Sequence, residues 1–211
     1  MLSRRTLLAA AAATSLLPAW PAFSQEEAVA PADLAEAGSL KDISLGKADA
    51  PVKVYEYLSM TCPHCARFSK DVFPVIKEKY IDTGKVLWTM REYPLDPRAT
   101  AGFMLARCAG DDKYYPMIDV LFAQQDSWAT VDAAQVLPSL LQIARQAGFS
   151  EDQFNKCLAD KTLFQGINGV KERGASKFKI DGTPTFFING KRNSGEMTLD
   201  EFAAAVDPLV K

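Results

Sequence analysis

A chain of 211 residues with one histidine and four cysteines has little from which to build a metal centre. A structural zinc site takes four ligands, often two Cys-x-x-Cys pairs or one such pair with two histidines. Here the one pair is Cys62 and Cys65; Cys108 and Cys157 stand alone, and His64 has no companion. Haem attachment needs a histidine directly after the second cysteine, and that position holds Ala66. No apolar run approaches the roughly 20 residues that cross a bilayer; the stretch from Leu7 to Leu17 falls well short. Basic residues, 24 against 26 acidic, are not in excess, so no patch suited to nucleic acid or anionic lipid is expected. No internal repeat is visible.

The chain opens Met1-Leu2-Ser3-Arg4-Arg5, continues into the apolar stretch, and reaches Ala22-Phe23-Ser24. Positive charge, apolar run and small residues, in that order, are the pattern of a secretory signal, with cleavage expected after Ser24. Ser3 to Leu8 also resembles the twin-arginine export motif, so either export route fits. Both place the mature protein in the periplasm, where disulfides persist. Loss of Arg4 and Arg5 leaves 22 basic against 26 acidic residues, a net charge of −4. Residues 25–40 are rich in Ala, Glu and Pro and read as a flexible leader. About 170 residues remain, enough for one domain with a full core.

The most informative residues are Cys62-Pro63-His64-Cys65, directly after the apolar run Val52 to Leu58. Phe68, Val72 and Ile76 follow at helical spacing, so the pair sits where a strand ends and a helix begins. Pro63 suits a first turn, where a missing N–H costs nothing, and Pro74 is expected to kink the same helix. Cys62 then lies at the helix N-terminus, where free N–H groups and the macrodipole favour an anion. The thiolate is the nucleophile of disulfide exchange, so Cys62 reads as the exposed, reactive thiol and Cys65 as the shielded, resolving one. A protonated His64 would add positive charge beside the sulfur. An inert structural bridge is the rival reading, but it has no use for a helix N-terminus.

Residues 41–97 read as strand, helix, strand, the second strand being Lys85 to Tyr93. Residues 98–177 show helical periodicity throughout. Met104, Leu105 and Cys108 form one apolar face, Met117, Ile118, Leu121 and Phe122 another, and Leu137, Leu140, Leu141 and Ala144 a third. Ser150 with Gln153, and Thr198 with Glu201, form capping boxes. Residues 178–211 return to a strand at Thr185 to Ile188, a turn at Asn189-Gly190 into an edge strand, and a helix from Thr198. The sum is an α/β domain interrupted by a helical subdomain.

These residues resemble the DsbA-like thiol–disulfide oxidoreductases, a branch of the thioredoxin fold with a helical insertion. The likeness covers nearly all of residues 41–211. It rests on Cys62-Pro63-His64-Cys65, on Gly182-Thr183-Pro184-Thr185 before a strand, and on the helical block between them. It implies that Pro184 is a cis-proline facing the cysteines, with Thr183 offering backbone hydrogen bonds to an extended substrate. An ordinary trans-proline opening a strand is the alternative. Glu56 falls where the family carries a buried acid, and period two places it on one face with Val54 and Leu58. There it would relay the proton that Cys65 must lose; a solvated edge-strand carboxylate is the other reading.

The resemblance further implies an exported dithiol oxidase acting on reduced or unfolded secretory proteins. Its carrier is the Cys62–Cys65 disulfide, with no dissociable cofactor and no metal, and a DsbB-like quinone-linked membrane partner would reoxidise it. A monomer is expected. A disulfide isomerase or reductase of the same fold is one alternative, although a leader over 25–40 is too short for the dimerisation domain of family isomerases. A thiolate metal chaperone is another, since a soft monovalent cation needs only two sulfurs. Cys108 and Cys157, in an exported protein, are expected to pair as a structural disulfide. A second redox-active pair is the alternative, but neither cysteine has a helix N-terminus to activate it.

Overall fold

Val52–Leu58, the run that ends before the cysteines, forms the central strand β2 in a computed structural model that describes residues 28–210. The signal peptide expected over 1–24 lies outside the described residues. Five strands form one sheet: β1 (Ser44–Leu45), β2, β3 (Val86–Glu92), β4 (Thr185–Ile188) and β5 (Lys191–Ser194), in the order β1-β3-β2-β4-β5. β2 and β3 are parallel, pairing Val54 with Trp88 and Glu56 with Met90; the other neighbours are antiparallel. The helical connection between β2 and β3 is what a parallel pair requires. With both its faces covered, β2 shows no inside–outside alternation.

One face carries Val52, Val54, Glu56 and Leu58. It packs on α2 (Pro63–Asp71) and α3 (Phe73–Ile76) through Phe68, Phe73, Ile76 and Trp88. The two helices meet at Val72, where the regular helix breaks two residues before Pro74. Pro74 has no N–H to donate and its ring crowds the preceding turn, so the chain restarts with Pro74 in the first turn of α3. A π-helical turn, Lys77–Ile81, follows.

Six helices lie between β3 and β4: α4 (Pro97–Cys108), α5 (Tyr114–Ala123), α6 (Gln125–Trp128), α7 (Ala133–Gln146), α8 (Glu151–Leu158) and α9 (Lys161–Lys177). Both capping boxes are present, at Ser150/Gln153 ahead of α8 and at Thr198/Glu201 ahead of α10 (Leu199–Val206). Two faces differ from the sequence reading. In α7 the buried stripe is Val136, Leu140, Ile143 and Ala144, while Leu137 is 53% exposed. The apolar arc of that helix is wider than its contact, and α8 covers only part of it. Cys108 is the last residue of α4 and is exposed rather than on its apolar face.

Helix α9, grouped with the insertion by its sequence, also covers the second face of the sheet. Val170 and Phe178 join Tyr55, Tyr57 and Phe187 in a smaller core, and Gly174 lets the Tyr57 ring approach α9 closely. Periodicity reports that a helix is amphipathic, not which layer it faces.

The leader is also different from its expectation. Residues 28–40 are docked: Pro31–Ala35 form the short helix α1, and Leu34 is fully buried in the smaller core. Arg91 Nη2 donates to the Leu34 carbonyl at 2.6 Å, Ser39 Oγ donates to Gly166 O at 2.8 Å, and Lys177 pairs with Asp33 at 2.8 Å. A Cβ on Gly166 would lie 2.5 Å from Leu40, so the missing side chain makes the slot that this segment fills. Low overall hydrophobicity hid two leucines that each had a place to go.

Candidate active site

Cys62 is the N-cap of α2, with extended backbone angles (φ −79°, ψ 120°) and Pro63 in the first turn. Its N–H donates to Ser59 O at 3.1 Å, which fixes the turn out of β2. From there Sγ faces back over the helix start. The Cys65 N–H points at it from 3.5 Å, and the thiol is 3.3 Å from the Thr183 carbonyl, to which it donates when protonated. The Thr183–Pro184 peptide bond is cis. The loop it forms is pinned by Gly195 N–H to Pro184 O at 2.9 Å and by Thr185 Oγ1 to Gly182 O at 2.8 Å.

This setting pulls the Cys62 thiol down to about 5. The Cys65 thiol, donating to the sulfur, contributes most; burial opposes it; the Thr183 hydroxyl and the backbone N–H groups of Cys65 and His64 add to the lowering. Cys65 moves the other way, well above an ordinary thiol, because it is buried, because it donates to Cys62, and because Cys62 and Glu56 add negative charge nearby. Cys62 keeps 4% of its surface and Cys65 none. Cys62, read from the sequence as exposed, is therefore nearly enclosed, since the cis-proline loop closes over the sulfur.

Glu56 is 2% exposed, on the sheet face beneath α2. Burial pushes its carboxyl up to about 8; the Trp88 indole opposes this and the Cys62 charge adds to it. Glu56 Oε2 and Trp88 Nε1 are both buried without a completed hydrogen bond. The solvated edge-strand reading does not hold, because α2 and the paired strands β3 and β4 cover this position. Cys62, Cys65 and Glu56 repel one another's charge, and Cys62 is the group that carries it near neutral pH.

The His64 ring is held on the exposed side of α2. Its Nδ1 is 3.0 Å from Glu196 Oε2 and 2.6 Å from Arg67 Nη2, and the side chain is 57% exposed. Its backbone N–H contributes to the lowering at Cys62, while its ring is engaged by Glu196 and Arg67.

Three residues that sequence reasoning passed over hold the site. Gln125, buried in α6, donates from Nε2 to Met60 O at 2.9 Å and to Cys62 O at 3.1 Å, joining the helical block to the cysteine turn. Asp96 caps α4 by accepting from Ala99 N–H at 2.9 Å and accepts from Thr61 Oγ1 at 2.6 Å. The Asp-Pro step before a helix was a readable capping signal. Glu196 reaches α2 from the loop after β5; no local pattern announces it or Gln125. A groove of about 730 Å³ beside α2 is lined by Pro63, Arg67, Phe73, Asp119, Phe122 and Asp126, but by neither cysteine. Cys108 and Cys157 are joined, with Cα atoms 6.1 Å apart. No three His, Cys, Asp or Glu side chains gather as metal ligands among the described residues, and none of the described helices is long and apolar enough to cross a membrane.

A dithiol at a helix N-terminus, facing a cis-proline loop on a five-stranded mixed sheet, defines a redox centre of the thioredoxin type. A family model described as thioredoxin matches residues 39–208. α-DsbA1 of Wolbachia pipientis is 34% identical, with a TM-score of 0.78 covering 86% of this chain and 96% of that one. A "putative protein-disulfide oxidoreductase" of Rickettsia bellii is 34% identical over 175 residues, 81% of this chain and 65% of that protein. A "probable disulfide bond formation protein D" of Bacillus cereus is 31% identical over 179 residues, 80% of this chain and 78% of that protein. The chain spans 60–65% of the length of the Rickettsia relatives. It belongs to the thioredoxin family, in its DsbA-like branch.

Proposed function

We propose that this protein is an exported, periplasmic thiol–disulfide oxidoreductase working as a dithiol oxidase, which passes its Cys62–Cys65 disulfide to reduced secretory proteins. The observation that carries this reading is the surround of Cys62 Sγ, which favours an anion and so a good leaving group. A substrate thiolate attacks Cys62 Sγ, the Cys62–Cys65 bond breaks, and Cys65 leaves as a thiolate that takes up a proton. Glu56, protonated at neutral pH by its value of about 8, is the proton donor to Cys65. A second substrate thiolate then attacks its partner sulfur in the mixed disulfide and expels the Cys62 thiolate. Two electrons have moved to the protein, and the substrate holds a disulfide. By family resemblance a DsbB-like, quinone-linked membrane protein takes those electrons back. The signal-like pattern of residues 1–24 supports export, and by family resemblance Thr183 beside the cis-proline offers backbone hydrogen bonds to an extended substrate.

Glu56→Gln removes the proton donor without changing shape. Transfer at pH 7 is expected to slow on the order of 10²-fold, with less mixed disulfide through Cys62 in quenched samples, because an unprotonated Cys65 re-attacks it and closes the ring again. Glu56→Leu should slow it equally yet raise the melting temperature, because Oε2 is buried without a partner. Unchanged rates in both variants would remove Glu56 from the mechanism.

The oxidase assignment is tested by melting the two redox forms with Cys108–Cys157 left intact. The folded value of Cys62, about 5, lies below the 9.0 of an ordinary thiol. The stabilisation of reduced protein is therefore complete above pH 9, falls by about 1.4 kcal/mol per pH unit below it, and is gone below about pH 5. At pH 7 it amounts to about 2.7 kcal/mol, and with 4% of Cys62 accessible solvent screening removes little. The small ring closed by the Cys62–Cys65 bond favours the oxidised form by about 2 kcal/mol in a chain-entropy treatment. Reduced protein is thus expected to melt higher at pH 7, the order reversing near about pH 6.5. The direction is the one already known for DsbA itself. An oxidised form that melts higher at both pH 7 and pH 8 would favour a reductase.

A further inference from the structure

Glu196 stands in the loop between β5 and α10, 132 residues from His64, yet its carboxylate meets the exposed side of the active-site helix. Oε1 accepts from Arg67 Nε at 3.2 Å and Oε2 from Arg67 Nη2 at 2.7 Å, a two-point guanidinium–carboxylate contact. His64 Nδ1 lies within reach of both partners, at 3.0 Å from Oε2 and 2.6 Å from Arg67 Nη2. One ring nitrogen serves one of them at a time: unprotonated it accepts from Arg67, protonated it donates to Glu196. In the first state the carboxylate holds His64 through Arg67 and in the second directly, so both side chains of α2 stay on the rim of the site. Arg67 in turn feels the Cys62 thiolate as well as Glu196, and Asp71 on the same helix adds a weaker pull. Glu56 from β2 and Cys65 from α2 are also coupled to the Cys62 charge.

We propose that Glu196 is a positioning residue for the Cys62 thiolate: it anchors and neutralises Arg67 and His64, and thereby moderates the oxidising power of the Cys62–Cys65 couple. The inference rests on Cys62 being the anionic nucleophile. Without the carboxylate, unbalanced positive charge remains on α2 and the thiolate gains; without the guanidinium, unbalanced negative charge remains and the thiolate loses.

The test is titration of Cys62 in the reduced protein by ultraviolet thiolate absorbance, together with the equilibrium constant against glutathione. Glu196→Gln is expected to lower the Cys62 pKa and Arg67→Gln to raise it. Each should shift the thiol–thiolate equilibrium about twofold to fivefold, the range for a partly screened surface charge. The double variant should return towards wild type, and Glu196→Asp should stay close to it. A purely structural clamp would lower the melting temperature of the single variants and leave the titration unmoved. A low wild-type pKa with unmoved or same-direction shifts overturns the role of Glu196 alone. A wild-type Cys62 that titrates as an ordinary thiol overturns the proposed function, and the role of Glu196 falls with it.

Discussion

Replacing Cys62 by serine is expected to cut disulfide transfer to a reduced peptide by 10³-fold or more, on the order of what loss of a nucleophile costs other enzymes. A serine hydroxyl is neither anionic at neutral pH nor able to form the bond that carries the electrons. The Cys65 thiol and the N–H groups at the start of α2 serve a thiolate that serine does not supply. Cys65→Ser is expected to behave differently. It keeps the attacking sulfur but loses the resolving one, so mixed disulfides through Cys62 should accumulate and be visible on non-reducing gels. Peptide mapping of those adducts checks the assignment. Adducts found on Cys65 in the Cys62→Ser variant would reverse the two roles.

Removal of the second bridge is expected to have the largest effect on stability. The Cys108–Cys157 bond has a sequence separation of 49 and joins the C-terminal end of α4 to α8. A loop of that size contributes up to about 4 kcal/mol in the chain-entropy treatment. For a domain of this length the double serine variant should melt about 10 °C lower. Cys108 lies at the end of its helix, where the macrodipole disfavours a thiolate, so the bridge is not poised for exchange. Asp96, which holds Thr61 near the reactive turn, caps the opposite end of α4. Transfer rates at 25 °C are accordingly expected to stay near wild type. Free thiols at both positions in exported protein, or a variant that melts like wild type, would remove the structural role.

What could be read from residues alone was what local geometry controls. Val52–Leu58 is a strand because seven consecutive residues, most of them apolar or aromatic, precede a break, and the helix after it begins where Cys62 and Pro63 suit a cap and a first turn. The capping boxes at Ser150 and Thr198 each span four residues and appear where their spacing places them. Asn189 and Gly190 take positive φ values of 45° and 92° and turn β4 into β5, a choice made within two residues. The two-residue strand β1 escaped notice because it is too short to show a period.

The amino-acid sequence by itself determined the dithiol, its place at a helix start, the proline that follows Thr183, and the order of the longer strands and helices, since each depends on neighbours within about one turn. Only the tertiary structure decided what surrounds them. Glu56 is an acid with a value of about 8 rather than a solvated carboxylate because α2 and β4 arrive from elsewhere in the chain to bury it. Gln125 grips the cysteine turn from 63 residues away, and Glu196 reaches Arg67 across 129. Leu34 is core rather than leader because the smaller face of the sheet had room for it. Burial and charge are properties of what packs against a residue, and that is fixed by contacts far beyond the reach of any local pattern.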